Sequence, residues 1–279
     1  MSKPMPRLDR SQLRGVERAA VPALELVNGS RLLKAMTYPM WHFGSRKFVT
    51  TLSGNLYEPH GLDHVRELQA PSGVVMIANH RSFFDLFFTA ACAVDAVPSF
   101  CTQMVFPVRK DFFYDTVPGL LLNLTLTSGS MWPPIFRDER KATLNQEAMV
   151  QLGAALRRGT LCGIHPEGTR GRGDDPWTLG DAKAGVGHLL RSAAPDVMVL
   201  PTFILGMSSD FGATARRNFR RPGQRGEPVR IWFGPPQRAD QLVAAGGDSP
   251  QGIAEAATQL IRLLAERDHQ SWLERPRQA

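Results

Sequence analysis

A histidine and an aspartate five residues apart, His80 and Asp85, lie in the run Asn79-His80-Arg81-Ser82-Phe83-Phe84-Asp85, directly after the apolar stretch Val74–Ala78. On a regular helix, positions five apart diverge by about 140° at 100° per residue. The two side chains meet only across a bend, such as a strand ending near Asn79 followed by a helix beginning near Phe83. A carboxylate on one ring nitrogen would fix the tautomer and leave the other nitrogen to take a proton from a hydroxyl. The same residues also spell Ser82-x-x-Asp85 before an apolar run, a helix-capping box that needs no catalysis.

A second cluster, His165-Pro166-Glu167-Gly168-Thr169-Arg170, again follows an apolar run, Thr160–Ile164. Gly168 lets the backbone approach a ligand, Thr169 and the free amides can donate hydrogen bonds, and Arg170 offers a planar fork suited to phosphate oxygens. A plain turn with a local Glu167–Arg170 ion pair accounts for the same residues. His165 reads as a strand-end histidine with a backbone partner. His42, His60, His64, His188 and His269 show no ligand spacing, and no metal site is expected.

Strands must deliver both clusters. Val74–Ala78, Phe100–Phe106, Thr160–Ile164, Val197–Leu205 and Val229–Phe233 read as buried strands. Between and after them Phe83–Val94, Lys141–Arg158, Asp181–Ala193 and Gln251–Glu266 carry apolar residues at helical spacing. This alternation predicts an α/β fold, a mostly parallel sheet flanked by helices. Such a sheet presents His80 at its carboxyl edge, where ligands of open α/β folds bind. Residues 10–53 read instead as broken amphipathic helices, with Pro22 and Pro39 expected to begin or kink helices because an interior proline costs about 3 kcal/mol. The predicted organisation is a basic amphipathic helical segment over 1–53 and an α/β domain over 54–279.

Composition excludes several classes. The 279 residues are 43% hydrophobic and 21% charged, which rules out a disordered or collagen-like chain. Cys92, Cys101 and Cys162 are too few and too far apart for a disulfide framework or a CxxC zinc site. The longest uncharged stretch, Thr116 to Phe136, is broken by Pro118, Gly119, Gly129, Pro133 and Pro134, so no spanning helix is expected. The net charge of +7 is uneven: residues 1–50 carry +6 and residues 215–230 carry +5, leaving −4 elsewhere. Two basic surfaces therefore flank a slightly acidic body.

Taken in order, Asn79-His80 with Asp85, Lys110 in Val108-Arg109-Lys110-Asp111-Phe112, Pro118-Gly119, Gly129, Ile135-Phe136-Arg137, Pro166-Glu167-Gly168-Thr169-Arg170, Lys183-Ala184-Gly185 and Val199-Leu200-Pro201 resemble the motifs of the glycerolipid acyltransferase family. Its best known members are the 1-acyl-glycerol-3-phosphate acyltransferases, and the likeness runs from about Gly54 to Gly234. The resemblance implies that His80 is the general base and Asp85 orients it. It implies that Lys110, Arg137 and Arg170 hold phosphate, that Glu167, Gly168 and Thr169 share the substrate-binding role, and that Pro201 lies near the acyl chain. The sequence departs from the family pattern at His165, where an apolar residue is common, and at Gly171, where Ser is common; both bear on the acceptor's identity.

The expected activity is transfer of a fatty acyl chain from an acyl-CoA or acyl-carrier-protein thioester to the hydroxyl of a lysophospholipid. The first choice of acceptor is 1-acyl-glycerol-3-phosphate, in phospholipid biosynthesis. No cofactor beyond the thioester co-substrate and no nucleic acid partner are expected. Alternatives are another lysolipid or an amino-lipid acceptor, or a lipid thioesterase or hydrolase. The last should carry a G-x-S-x-G elbow, and the nearest approach, Gly206-Met207-Ser208-Ser209-Asp210, lacks the second glycine. Both substrates partition into bilayers, so the protein is expected on the cytoplasmic face as a peripheral protein on anionic lipid. Residues 1–53, with Trp41 and Phe43, are the expected interfacial element.

Overall fold

The computed structural model describes residues 6–275 apart from 71, 98, 99, 101, 102 and 172, so Cys101 lies outside the described residues. Eight strands form one sheet: β1 (Tyr57–His60), β2 (Val74–Ala78), β3 (Met104–Arg109), β4 (Met131–Ile135), β5 (Leu161–Ile164), β6 (Met198–Leu205), β7 (Val229–Phe233) and β8 (Gln237–Arg238). Their order is β1-β7-β6-β2-β5-β3-β4, with β8 also paired to β6. Strands β2 to β6 are parallel where they pair; β7 and β8 run antiparallel to β6, and β1 is parallel to β7. The molecule is the α/β fold with a mostly parallel sheet that the alternation predicts.

The central strands are buried along their whole length, as expected where helices cover both faces of a parallel sheet. Helices Ala142–Leu156, Gly185–Ser192, Ala239–Gly246 and Pro250–Leu273 pack on one another in one layer. Arg46–Ser53, Leu62–Arg66, Asp85–Ala96 and Phe211–Asn218 form the other. Besides the two-residue β8, the strands outside the sequence expectation are β1 and β4, the outermost in the order. Each contains proline, whose missing N–H is tolerated at a sheet edge. The uncharged stretch from Thr116 resolves into a helix, Val117–Thr125, and β4. Among the described residues no helix is long and apolar enough to cross a membrane.

Residues 17–53 are helical, as expected, but they are not a body apart. In the helix Glu17–Gly29, Ala20, Val21 and Leu24 are fully buried in the same core as the sheet. Pro22 rides inside this helix instead of beginning or kinking it; burial of its neighbours offsets the cost of a proline in the interior. Pro39 does not begin a helix either: it is the last residue of the helix Arg31–Pro39, where a π-helical turn, Met40–Ser45, begins. Trp41, expected at an interface, is buried, whereas Phe43 is 71% exposed.

Candidate active site

Because β2 and β5 are parallel neighbours with Ile77 opposite Ile164, the two candidate segments leave the sheet side by side at its carboxyl edge. Asn79 fixes the first exit. Its Oδ1 accepts from Ile204 N at 2.8 Å and its Nδ2 donates to Ile204 O at 2.9 Å, so a buried side chain extends the pairing of β2 with β6. The chain then turns, and the helix starts at Asp85.

Asp85 Oδ2 accepts from the amides of Arg81 and Ser82, both at 2.6 Å. The same oxygen lies 3.5 Å from His80 Nδ1. The capping reading and the dyad reading of this sequence thus describe one carboxylate with two tasks. At 3.5 Å the contact is longer than a full hydrogen bond, and His80 Nδ1 and Asp85 Oδ1 are both buried with no hydrogen-bond partner among the described residues. Burial lifts the Asp85 carboxyl above its ordinary value, against the opposing pull of His80 and the two amides.

His165 stacks on His80 with ring centroids 3.8 Å apart and planes 12° from parallel. Its Nδ1 lies 3.0 Å from Ala78 O, and because a carbonyl only accepts, Nδ1 carries the hydrogen. Burial, and then the neighbouring His80, push His165 down to about 3. It is therefore neutral at ordinary pH, and it has the backbone partner expected from its strand-end position.

Glu167 is buried, and its oxygens are taken up by backbone. Oε2 accepts from His80 N and Oε1 from Gly180 N, both at 2.7 Å. The carboxylate expected beside substrate, or beside Arg170, instead clasps the His80 turn to the loop that follows β5. Gly168 adopts φ 64°, a left-handed conformation that glycine permits, and lies against the Lys183 side chain.

Between these segments lies a cavity of about 600 Å³. Its walls are largely apolar, including Phe87, Phe106, Ile135, Met149 and Ile164, and His80, His165, Gly168, Arg170 and Lys183 line it as well. Arg109 also lines it but is paired with Asp111. Lys110, Arg137 and Thr169 do not line the cavity. Lys110 Nζ donates to Glu17 at 2.7 Å and to Asp115 at 2.9 Å. Burial works against the Lys110 ammonium, but these carboxylates outweigh it and hold its pKa above the ordinary value. Arg137 and Thr169 are exposed. Pro201 sits on β6 against a different cavity, with Leu260, Leu264 and Arg267. Sequence reasoning missed Lys183 as a lining cation and Asn79 as the strand-end clasp.

A protein-family model described as Acyltransferase matches residues 58–205, just over half of the chain. The chain belongs to the acyltransferase family. No curated protein matches it. In this acyltransferase the matched region runs from β1 to the last residue of β6 and holds every candidate site residue from His80 to Lys183. Strand β7 and the long carboxyl-terminal helix lie beyond it.

Proposed function

We propose that this acyltransferase moves a fatty acyl chain from an acyl-CoA or acyl-carrier-protein thioester to the hydroxyl of a lysophospholipid, with 1-acyl-glycerol-3-phosphate as acceptor, in phospholipid biosynthesis. The observation that carries the reading is one cavity that brings together an imidazole backed by a buried carboxylate, an apolar wall and two cations. With Nδ1 turned to Asp85, His80 offers Nε2 to the acceptor. Nε2 takes the hydroxyl proton as the oxygen bonds to the thioester carbonyl carbon. The tetrahedral intermediate then collapses, the C–S bond breaks, and the leaving thiolate receives the proton from His80. Asp85 steadies the imidazolium between the two transfers. A thioester is activated enough that no covalent enzyme intermediate and no further cofactor are called for.

Arg170 and Lys183 line the cavity and supply the phosphate clamp. Exposed Arg137, at the carboxyl end of β4, assists at the rim, while Lys110 is held by Glu17 and Asp115. Lysolipid and thioester reach the site from the cytoplasmic face of an anionic membrane, which the enzyme meets peripherally through exposed Leu32, Met36, Phe43 and Leu121. The test is turnover of palmitoyl-CoA with lysophosphatidate or with monoacylglycerol. His80→Ala is expected to lose about 10²–10⁴-fold on both acceptors. Asp85→Asn keeps an oxygen for the two amides, so it should lose about 10²-fold with its melting temperature retained. An Asp85→Asn variant that keeps its rate and melts earlier would leave Asp85 with the turn alone. Arg170→Ala should weaken lysophosphatidate use far more than monoacylglycerol use, and equal losses would remove Arg170 from the phosphate site.

A further inference from the structure

Asp268, on the helix Pro250–Leu273 outside the family-matched region, has no exposure to solvent, yet its carboxylate is fully satisfied. Oδ1 accepts from Arg230 Nε at 2.7 Å and Trp232 Nε1 at 2.8 Å; Oδ2 accepts from Arg230 Nη2 at 2.9 Å and Trp177 Nε1 at 2.8 Å. Arg230 and Trp232 belong to β7 and would balance the buried charge without help from elsewhere. Trp177 is different. It comes from the loop between β5 and the helix Gly185–Ser192, and its ring also stacks on His269 at 4.2 Å and 18°. The carboxyl-terminal helix therefore grips the tip of that loop by an indole N–H and by a ring face.

The other side of the same loop grips the His80 turn. The Arg81 guanidinium donates to the carbonyls of Gly173 and Thr178, each at 3.0 Å, and to that of Asp175. Gly171 N donates to His80 O at 2.7 Å, and Gly180 N reaches His80 N through the Glu167 carboxylate. Arg81 N in turn is one of the two amides that hold Asp85. The loop also begins at Arg170 and ends at Lys183, the two cavity cations. Neither Trp177 nor Asp268 lines the cavity.

We propose that Asp268 and Trp177 form a latch through which the carboxyl-terminal helix sets the loop 170–183, and with it the His80 turn, for acyl transfer. Trp177 is a positioning residue. This rests on the reading of His80 as the base, and it adds a remote determinant, Asp268, that the family-matched region does not contain. The latch predicts coupling: the fixed indole holds the loop carbonyls where one guanidinium can reach three of them, and that guanidinium anchors Arg81, the residue that follows His80. Loss of the N–H should loosen both ends at once.

The test uses the full chain and Trp177→Phe, which keeps a ring against His269 and removes the donor to Asp268. Hydrogen exchange read by mass spectrometry is expected to rise both in 173–180 and at the amides of 80–82, with the melting temperature within a few degrees of wild type. With palmitoyl-CoA and lysophosphatidate, kcat should fall about tenfold while KM for the thioester stays within about twofold. Arg81→Met cuts the other end, so the double variant should lose no more than the worse single variant. Faster exchange in 173–180 with unchanged exchange at 80–82 overturns the latch, as do losses that multiply in the double variant. His80→Ala, assayed beside them, separates the two readings. If it retains wild-type turnover, the base assignment fails and the latch fails with it; if it is inactive while Trp177→Phe keeps full kcat, the latch alone is wrong.

Discussion

Where two imidazoles stack face to face, a proton on either repels a proton on the other. At the carboxyl ends of β2 and β5 the geometry decides which one yields. His165 has committed Nδ1–H to Ala78 O, while His80 keeps a carboxylate beside it. His165 therefore stays neutral, its pKa held at about 3 against an ordinary 6.5, first by burial and then by His80. A neutral ring lying flat on His80 restricts that ring to the orientation that faces Asp85. The linkage has a definite sign. Between pH 6.5 and about 3 the unfolded chain binds a proton at His165 that the folded chain refuses, so stability is lost as pH falls through that window. Phenylalanine at 165 would keep a ring against His80 and bind no proton. Urea unfolding of His165→Phe should give a midpoint near or slightly below wild type at pH 8, because the bond to Ala78 O is lost at about 1 kcal/mol. On acidification to pH 5 the variant should gain on wild type. A gap that stays constant from pH 8 to pH 5 would show that His165 titrates normally.

At the level of elements, the helix Arg31–Pro39 and the π-turn Met40–Ser45 are tied to the segment just after the helix Val117–Thr125, by Lys34 Nζ donating to Ser128 O at 3.0 Å and by Ser45 Oγ donating to Leu126 O. These elements expose large apolar side chains: Leu32 and Phe43 are each 71% exposed, and Met36 and Leu121 also project to solvent. The charge counted for the amino-terminal segment contributes less to that surface than its total implies, since Lys34 and Arg46 are buried, the latter paired with Asp95. Apolar insertion should therefore dominate vesicle binding. Full burial of a large apolar side chain is worth about 1.5–3 kcal/mol, so Leu32→Ser with Phe43→Ser should lower partitioning onto phosphatidylglycerol vesicles by more than tenfold in a flotation assay. Unchanged flotation would move the membrane face elsewhere. The elements legible in the sequence were those whose burial is uniform. Strands β2 and β7 coincide with their apolar runs because both faces of the sheet are covered there. The edge strands β1 and β4 were hidden by their prolines. The last helix continues past Glu266 to Leu273 through Arg267-Asp268-His269-Gln270, a stretch with no apolar period to announce it. The site divides in the same way. His80 and Asp85 are close in sequence and local geometry brings them together, whereas the fate of Lys110 depends on Glu17, 93 residues away, and no spacing rule reaches that far.

Across the whole molecule, residues that read as a separate anchor are part of the fold. The helix Glu17–Gly29 lies along β4, and its polar side chains reach the domain at several points. Glu17 bonds Lys110 and Lys141, Glu25 accepts from Gln151 Nε2 at 2.8 Å, and Asn28 Nδ2 donates to Gly129 O at 2.9 Å. Part of the basic run at 215–230 is likewise turned inward, while Arg216, Arg220 and Arg221 are exposed. Arg217 donates to the carbonyls of Gly206, Arg225 and Glu227, and Arg230 is buried on Asp268. A chain beginning at Gly54 would expose the core surface that Ala20, Val21 and Leu24 now cover, and would leave Lys110 and Lys141 without Glu17. It is expected not to fold, and a cooperative melting transition from such a chain would show that the helix is dispensable. A milder probe is Leu24→Ala in the full chain. Leu24 is fully buried, so the cavity left behind should cost about 2–5 kcal/mol. That is a large fraction of the roughly 5–15 kcal/mol that stabilises a folded domain. The loss should appear as a lower urea midpoint with an unchanged slope, since one cooperative unit still unfolds. A second transition appearing only in the variant would mean that the amino-terminal helix and the sheet are separate units after all.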